Sequence, residues 1–142
     1  MSQAQFSPDG RWVAYVSMES GSPEVFVRPF PSGPGRWKIS DGSASEPRWR
    51  HDGKEIYYVT TGKLPNMRVV AVPVKATSPG SFAIGTPQPL FEESLSSWVT
   101  VLNLWTYVPS PDGQRFLVLV KPDVPETIHV LTNWTRMFEG KR

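Results

Sequence analysis

Three aspartates stand in the same setting. Asp9, Asp52 and Asp112 each precede a glycine, follow Pro8, His51 and Pro111 respectively, and lead into an apolar run. Repeated carboxylates gathered at one end of a channel are a way to hold a cation, although calcium asks for about six to eight oxygens. Turn chemistry explains the same residues without an ion. Proline presets φ at the first turn position, aspartate bonds to nearby backbone, and glycine accepts a positive φ. The turn reading is the simpler one, so no metal is expected. The sequence has 2 histidines, His51 in a turn and His129 in a candidate strand, which are too few for an imidazole metal cluster. Neither has a neighbour that would make it a base, so each reads as an ordinary turn or strand residue.

No other reaction chemistry is spelled out. The chain has no G-x-S-x-G elbow, no Walker phosphate loop, no H-E-x-x-H pair and no cysteine. The expectation is therefore a protein without catalytic residues or cofactor, and not an enzyme. Trp12, Trp37 and Trp49 lie beside Arg11, Arg36, Arg48 and Arg50, a mixture that also occurs where proteins stack on bases. Neighbouring residues of a strand point to opposite faces, however, so a buried tryptophan beside an exposed arginine is the expected outcome. With 15 basic and 13 acidic residues the net charge is only +2, which gives no electrostatic reason to expect nucleic acid. No apolar run approaches the ~20 residues of a membrane helix.

The elements that must carry these residues repeat. Aligned on Gly10, Gly53 and Gly113, each copy has a short apolar stretch before the turn ("AQF", "EPRW", "LWTYV") and a richer run after it ("RWVAYVS", "KEIYYVT", "QRFLVLV"). The second runs are nearly continuous in β-branched and aromatic residues, the pattern of strands covered on both faces. Third strands follow in "EVFVRPF", "MRVVAVPV" and "TIHVLTNW", and fourth strands in "RWKIS" and "PQPLFE". The first two turns lie 43 residues apart and the next two 60 apart, so extra loop is expected in "KATSPGSFAIGT" and "ESLSSWVTVLN". A spacing near ~40–50 residues is that of a propeller blade.

The S-P-D-G turn followed by an aromatic-rich strand resembles the TolB-like, WD-type β-propeller repeat. "RHDG" at Arg50 and Pro109, where the other copies have Phe6 and Trp49, depart from the pattern. "VRPF" at Val27, "EPRWRHDGKEIYYV" at Glu46 and "NWT" at Asn133 also resemble the C-terminal propeller blades attached to bacterial serine/threonine kinases. The resemblance implies an all-β chain of about three four-stranded antiparallel blades, at about 3–42, 45–93 and 104–134, followed by a tail over 135–142. The last blade is expected to lack its outer strand. Closed propellers have about four to eight blades, so the chain is expected to be part of a six- to eight-bladed ring or an oligomer that completes one.

On that basis the expected function is a non-catalytic module that binds a protein or peptide, or senses a ligand, for a larger bacterial signalling protein. The alternatives are the gating propeller of a prolyl-oligopeptidase-type peptidase and a propeller fragment whose only activity is self-assembly. Candidate binding residues are Asp9, His51, Asp52 and Asp112 at the turn-bearing end, with Trp98 as a loop anchor. Open blade faces predict self-association. The compartment is left open, and is extracytoplasmic if the chain joins a membrane-anchored kinase.

Overall fold

A computed structural model describes residues 2–60, 67–77, 81–94 and 105–120 in full, and 61, 66, 78 and 129–132 as backbone strand. Every regular element among them is a β-strand, and all pairings are antiparallel. The first sheet runs in chain order through β1 (Ser2–Phe6), β2 (Trp12–Ser17), β3 (Glu24–Pro29) and β4 (Trp37–Lys38). The second contains β5 (Ala44–Trp49), β6 (Glu55–Thr61), β7 (Asn66–Ser78), β8 (Ser81–Ile84) and β9 (Gln88–Ser94). The third comprises β10 (Tyr107–Pro109), β11 (Arg115–Val118) and β12 (His129–Thr132).

One expected loop is a hairpin instead. β7 runs 13 residues, with its first half between β6 and β9 and its second half paired to β8. "KATSPGSFAIGT" therefore forms an arm whose Phe82 is only 7% exposed and packs on Trp12, Trp37 and Trp49. Its β-branched and aromatic content is modest, so burial of Phe82 against another sheet, and not local propensity, makes this stretch a strand. Most of "ESLSSWVTVLN", including Trp98, lies outside the described residues.

The second strands explain why the apolar runs are unbroken. On β6, Ile56 and Tyr58 join Trp12, Ala14, Val16, Val25 and Val27 of the first sheet, whereas Tyr57 and Val59 join Tyr107, Phe116 and Val118 of the third. β7 divides the same way, with Val70, Val72 and Val74 on one side and Met67, Val69 and Ala71 on the other. Strand periodicity of two puts alternate residues on opposite faces, and here both faces meet another sheet. Each fully buried Val, Ile or Phe contributes ~1.5–3 kcal/mol relative to exposure. On the third sheet, Leu117 and Leu119 occupy the positions of Tyr57 and Val59, four and six residues after the glycine, yet are 48% and 49% exposed.

A hydrogen-bonded chain crosses all three sheets at one repeated position. Gln3, Glu46 and Thr106 each lie seven residues before the turn glycine. The Glu46 amide donates to Gln3 Oε1 at 2.9 Å, and the Thr106 amide and hydroxyl donate to Glu46 Oε2 at 2.6 and 2.9 Å. Gln3 and Glu46 have φ of +47° and +56°, and the register of β1 with β2, and of β5 with β6, shifts around them. Such bulges re-aim side chains, and a non-glycine residue in this region is uncommon enough to call for a compensating contact. The contact is this reach into the next sheet. Tyr107 adds to it by donating to the Glu46 carbonyl at 2.9 Å.

Burial raises the Glu46 pKa above its ordinary value, outweighing the Thr106 hydrogen bonds and the attraction of Arg48. The folded state thus binds this proton more readily than the unfolded one, so the cost of the buried charge is largest above the raised pKa and fades as pH falls. Gln3 fills the equivalent role as a neutral amide. Glu46→Gln is therefore expected to be at least as stable as wild type near neutral pH, with the two converging towards pH ~4.5, the ordinary carboxylate range. Glu46→Ala leaves the buried Thr106 amide without its acceptor and is expected to cost ~1–3 kcal/mol. Urea denaturation of all three proteins across this pH range checks both. Equal losses for Gln and Ala would contradict the latch.

The turn glycines give a second contrast. Gly10, Gly53 and Gly113 share φ of +70° to +71°. A Cβ on Gly10 would meet nothing within 4 Å, but one on Gly113 would collide with the Tyr57 hydroxyl and Arg50 of the preceding sheet. Gly10→Ala is expected to cost only the ~1–2 kcal/mol of a left-handed alanine. Gly113→Ala should lose clearly more, as read from denaturation midpoints, and equal effects would show that the third turn does not dock on the second sheet.

Candidate functional site: a groove at the turn-bearing end

The three aspartates sit in turns of one design. In the first, Asp9 Oδ1 accepts from the Ser7 hydroxyl at 2.6 Å and the Arg11 amide at 3.1 Å, while Ser7 Oγ accepts from the Trp12 amide at 3.0 Å. The third repeats this with Ser110, Asp112, the Gln114 amide at 2.9 Å and the Arg115 amide at 3.0 Å. The middle turn replaces serine with Arg50, whose Nε donates to Asp52 Oδ1 at 2.9 Å, alongside the Lys54 amide at 3.0 Å. These bonds hold all three carboxyls below their ordinary values: chiefly the Ser7 hydroxyl for Asp9, the Arg50 guanidinium for Asp52 and the Ser110 hydroxyl for Asp112. Each aspartate is thus bound to its own turn, as turn chemistry predicts.

What the turns assemble is an apolar groove. At one end a hollow of about 330 Å³ is lined by Phe6, Pro8, Trp49, His51, Pro109, Ser110 and Pro111. Its walls are the same two repeat positions from all three units: four residues before the glycine (Phe6, Trp49, Pro109) and two before it (Pro8, His51, Pro111). Pro8 and Trp49 also line an adjoining hollow of about 140 Å³ that holds Asp9, Asp52 and Phe82. Asp9, Trp12 and Ala76 carry that one into a third, of about 620 Å³, bounded by Arg11, Phe30 and Pro34. The buried Trp12 and Phe82 form the floor. Phe6 and Phe30, 58% and 46% exposed, meet edge to face with centroids 4.7 Å apart and stand at the rim.

Asp9, His51 and Asp52 are therefore brought together by this groove. Asp112 is not among its lining residues, although its neighbours Ser110 and Pro111 are. Trp98 lies outside the described residues. Sequence reasoning passed over Phe6, Phe30, Trp49 and Phe82 as binding residues. The signal was present for two of them, because Phe6 and Trp49 occupy one repeat position. Phe30 and Phe82 have no repeat counterpart that would single them out.

The arginine beside each tryptophan follows the alternation rule only in part. Trp12 is buried beside exposed Arg11, but Arg48 is half-buried, with its guanidinium carbon 3.7 Å from the centroid of the Trp105 ring.

Solved structures resemble this fold, three of them as follows. TolB from Acinetobacter baumannii matches with a TM-score of 0.66 and 18% identity, over 94% of this chain and 30% of that one. A candidate TolB from Agrobacterium tumefaciens matches with a TM-score of 0.51 and 20% identity, over 64% of this chain and 33% of its own. A candidate 6-phosphogluconolactonase from Bacteroides uniformis ATCC 8492 matches with a TM-score of 0.54 and 16% identity, over 91% of this chain and 35% of its own. No protein-family model and no curated protein matches the chain.

The last of these structures corrects the expectation that the protein is not an enzyme. That expectation rested on the missing elbow, phosphate loop and zinc motif, but the same fold is shared with the candidate 6-phosphogluconolactonase. Absence of those motifs does not exclude catalysis on this architecture. The chain spans about a third of the length of the structures it matches. It has the fold of a TolB-like β-propeller, in antiparallel blade-like sheets stacked face to face.

Proposed function

We propose that the protein is a propeller module that binds a protein or peptide segment along the groove at its turn-bearing end. The observation that carries this reading is the hollow to which all three units contribute the same two repeat positions, continued past Asp9 to Phe30. Floor and rim are aromatic, and exposed aromatics beside a concave apolar surface are the usual anchors of a partner's side chains. Three adjoining hollows suit a segment with apolar residues seated in each of them. The kinase-linked phrasing of "VRPF" and "EPRWRHDGKEIYYV" supports placing the module in a larger signalling chain.

Panning a random peptide library on the immobilised 142-residue chain tests the reading. Selected peptides are expected to be rich in aromatic and aliphatic residues. Phe6→Ala and Phe30→Ala should weaken them about tenfold or more, equivalent to ~1.4 kcal/mol. Because both rings are largely exposed, the variants should fold with stability within ~1.5 kcal/mol of wild type, the upper value for an aromatic pair. Leu117→Ser, on a sheet face away from the groove, should leave binding unchanged. Peptides that bind the two phenylalanine variants as tightly as wild type would refute the assignment.

A further inference from the structure

The hollow of about 140 Å³ in the middle of the groove differs from its neighbours in what lines it: Trp12, Trp49 and Phe82 supply three rings, and Asp9 and Asp52 two carboxylates. The rings do not stack in one layer. Phe82 meets Trp12 at 50° with centroids 4.9 Å apart and Trp49 at 88° with centroids 6.3 Å apart, so the three lie in different planes. The volume is small beside the ~300–1,000 Å³ of a whole-ligand pocket and suits a single side chain.

The two carboxylates are not equivalent. Both oxygens of Asp52 accept from Arg50, which offsets its charge locally. Asp9 forms no ion pair among the described residues, and although Arg11 attracts it, the bond between them is from the Arg11 backbone amide. That bond and the one from the Ser7 hydroxyl both fall on Oδ1, which leaves Oδ2 of Asp9 as an acceptor. Its carboxyl, held below the ordinary value chiefly by Ser7, is ionised at neutral pH.

Aromatic faces attract a cation within ~6 Å, and an ionised carboxylate gives that cation a strong hydrogen bond. Calcium would ask for about six to eight oxygens, whereas most of this lining is aromatic or apolar and the Ser7 hydroxyl already donates to Asp9 and accepts from Trp12. An organic cation is the better match. The planar fork of arginine calls for a two-oxygen acceptor, but Asp9 offers one oxygen; an ammonium is a point donor on an apolar stem that can lie against the rings.

We propose that the middle hollow is a binding site for an alkylammonium group, filled by a lysine side chain of the segment bound in the groove. The site itself needs only the hollow, while the lysine as its occupant rests on the groove reading.

The test is an NMR titration of the full chain, read at the amide signals of Gly53 and Ala76, which line the hollow. Butylammonium is expected to give a saturable shift and its neutral counterpart butanol none. Asp9→Asn keeps an Oδ1 acceptor for the turn and removes the charge, so it should fold and bind butylammonium about tenfold more weakly. Asp112→Asn makes the same charge change in an equivalent turn outside the hollow and should bind as wild type. A capped pentapeptide with leucines flanking a central lysine should bind about tenfold more tightly than its norleucine counterpart, with the arginine peptide in between. No shift with butylammonium, an equal response to butanol, or undiminished binding by Asp9→Asn would overturn the site. Tighter binding of the arginine peptide would overturn its preference for an ammonium. Equal binding of the lysine and norleucine peptides would overturn lysine as the occupant and leave the groove standing, whereas a response to butylammonium with no peptide bound would support the site and count against the groove.

Discussion

A β-sheet that is apolar on both faces has to be covered on both, and the middle sheet meets this constraint by alternation within single strands. Ile56 and Tyr58 look one way, Tyr57 and Val59 the other. Side-chain packing alone leaves two such sheets free to slide, because apolar contacts have little direction. The chain from Gln3 through the Glu46 amide and carboxylate to Thr106 supplies direction. It fixes the height of each inner strand against the next, and so brings the turn positions of three units into one hollow.

Much of this was legible in the sequence, and for identifiable reasons. The Asp-Gly turns announced themselves because their chemistry is local: Asp9 and Asp112 bond to residues two positions away. In the middle unit the unbroken apolar run after the turn announced two-sided burial, whereas the equally unbroken third run leaves Leu117 and Leu119 exposed. The latch was hidden because its partners are 43 and 60 residues apart and its residues, Gln3, Glu46 and Thr106, share no side-chain type. Only their common offset from the glycine links them. The hairpin arm at β8 was hidden for the opposite reason, since Phe82 is a single aromatic in a stretch punctuated by Pro79 and Gly80.

The candidate site shows the same division. His51, Asp9 and Asp52 were found because they lie in the repeated turn, but their role differs from the first impression: the aspartates hold the turns, and aromatic rings two residues before Pro8 and His51 present the surface. The exclusion of enzymatic chemistry failed because a motif search tests for particular mechanisms, not for catalysis in general. Fold, turn and groove are physical statements about this chain, whereas function lives in the site built on them.

The account rests on the inner-strand latch that sets sheet against sheet, and amide hydrogen exchange reads it directly. If the Glu46 and Thr106 amides are each held by a side chain from the neighbouring sheet, they exchange as slowly as the amide of Tyr58 at the centre of the middle sheet. Exchange as fast as that of the exposed turn amides, such as Asp9, would show that the sheets are stacked without this latch and that the shared hollow has another cause.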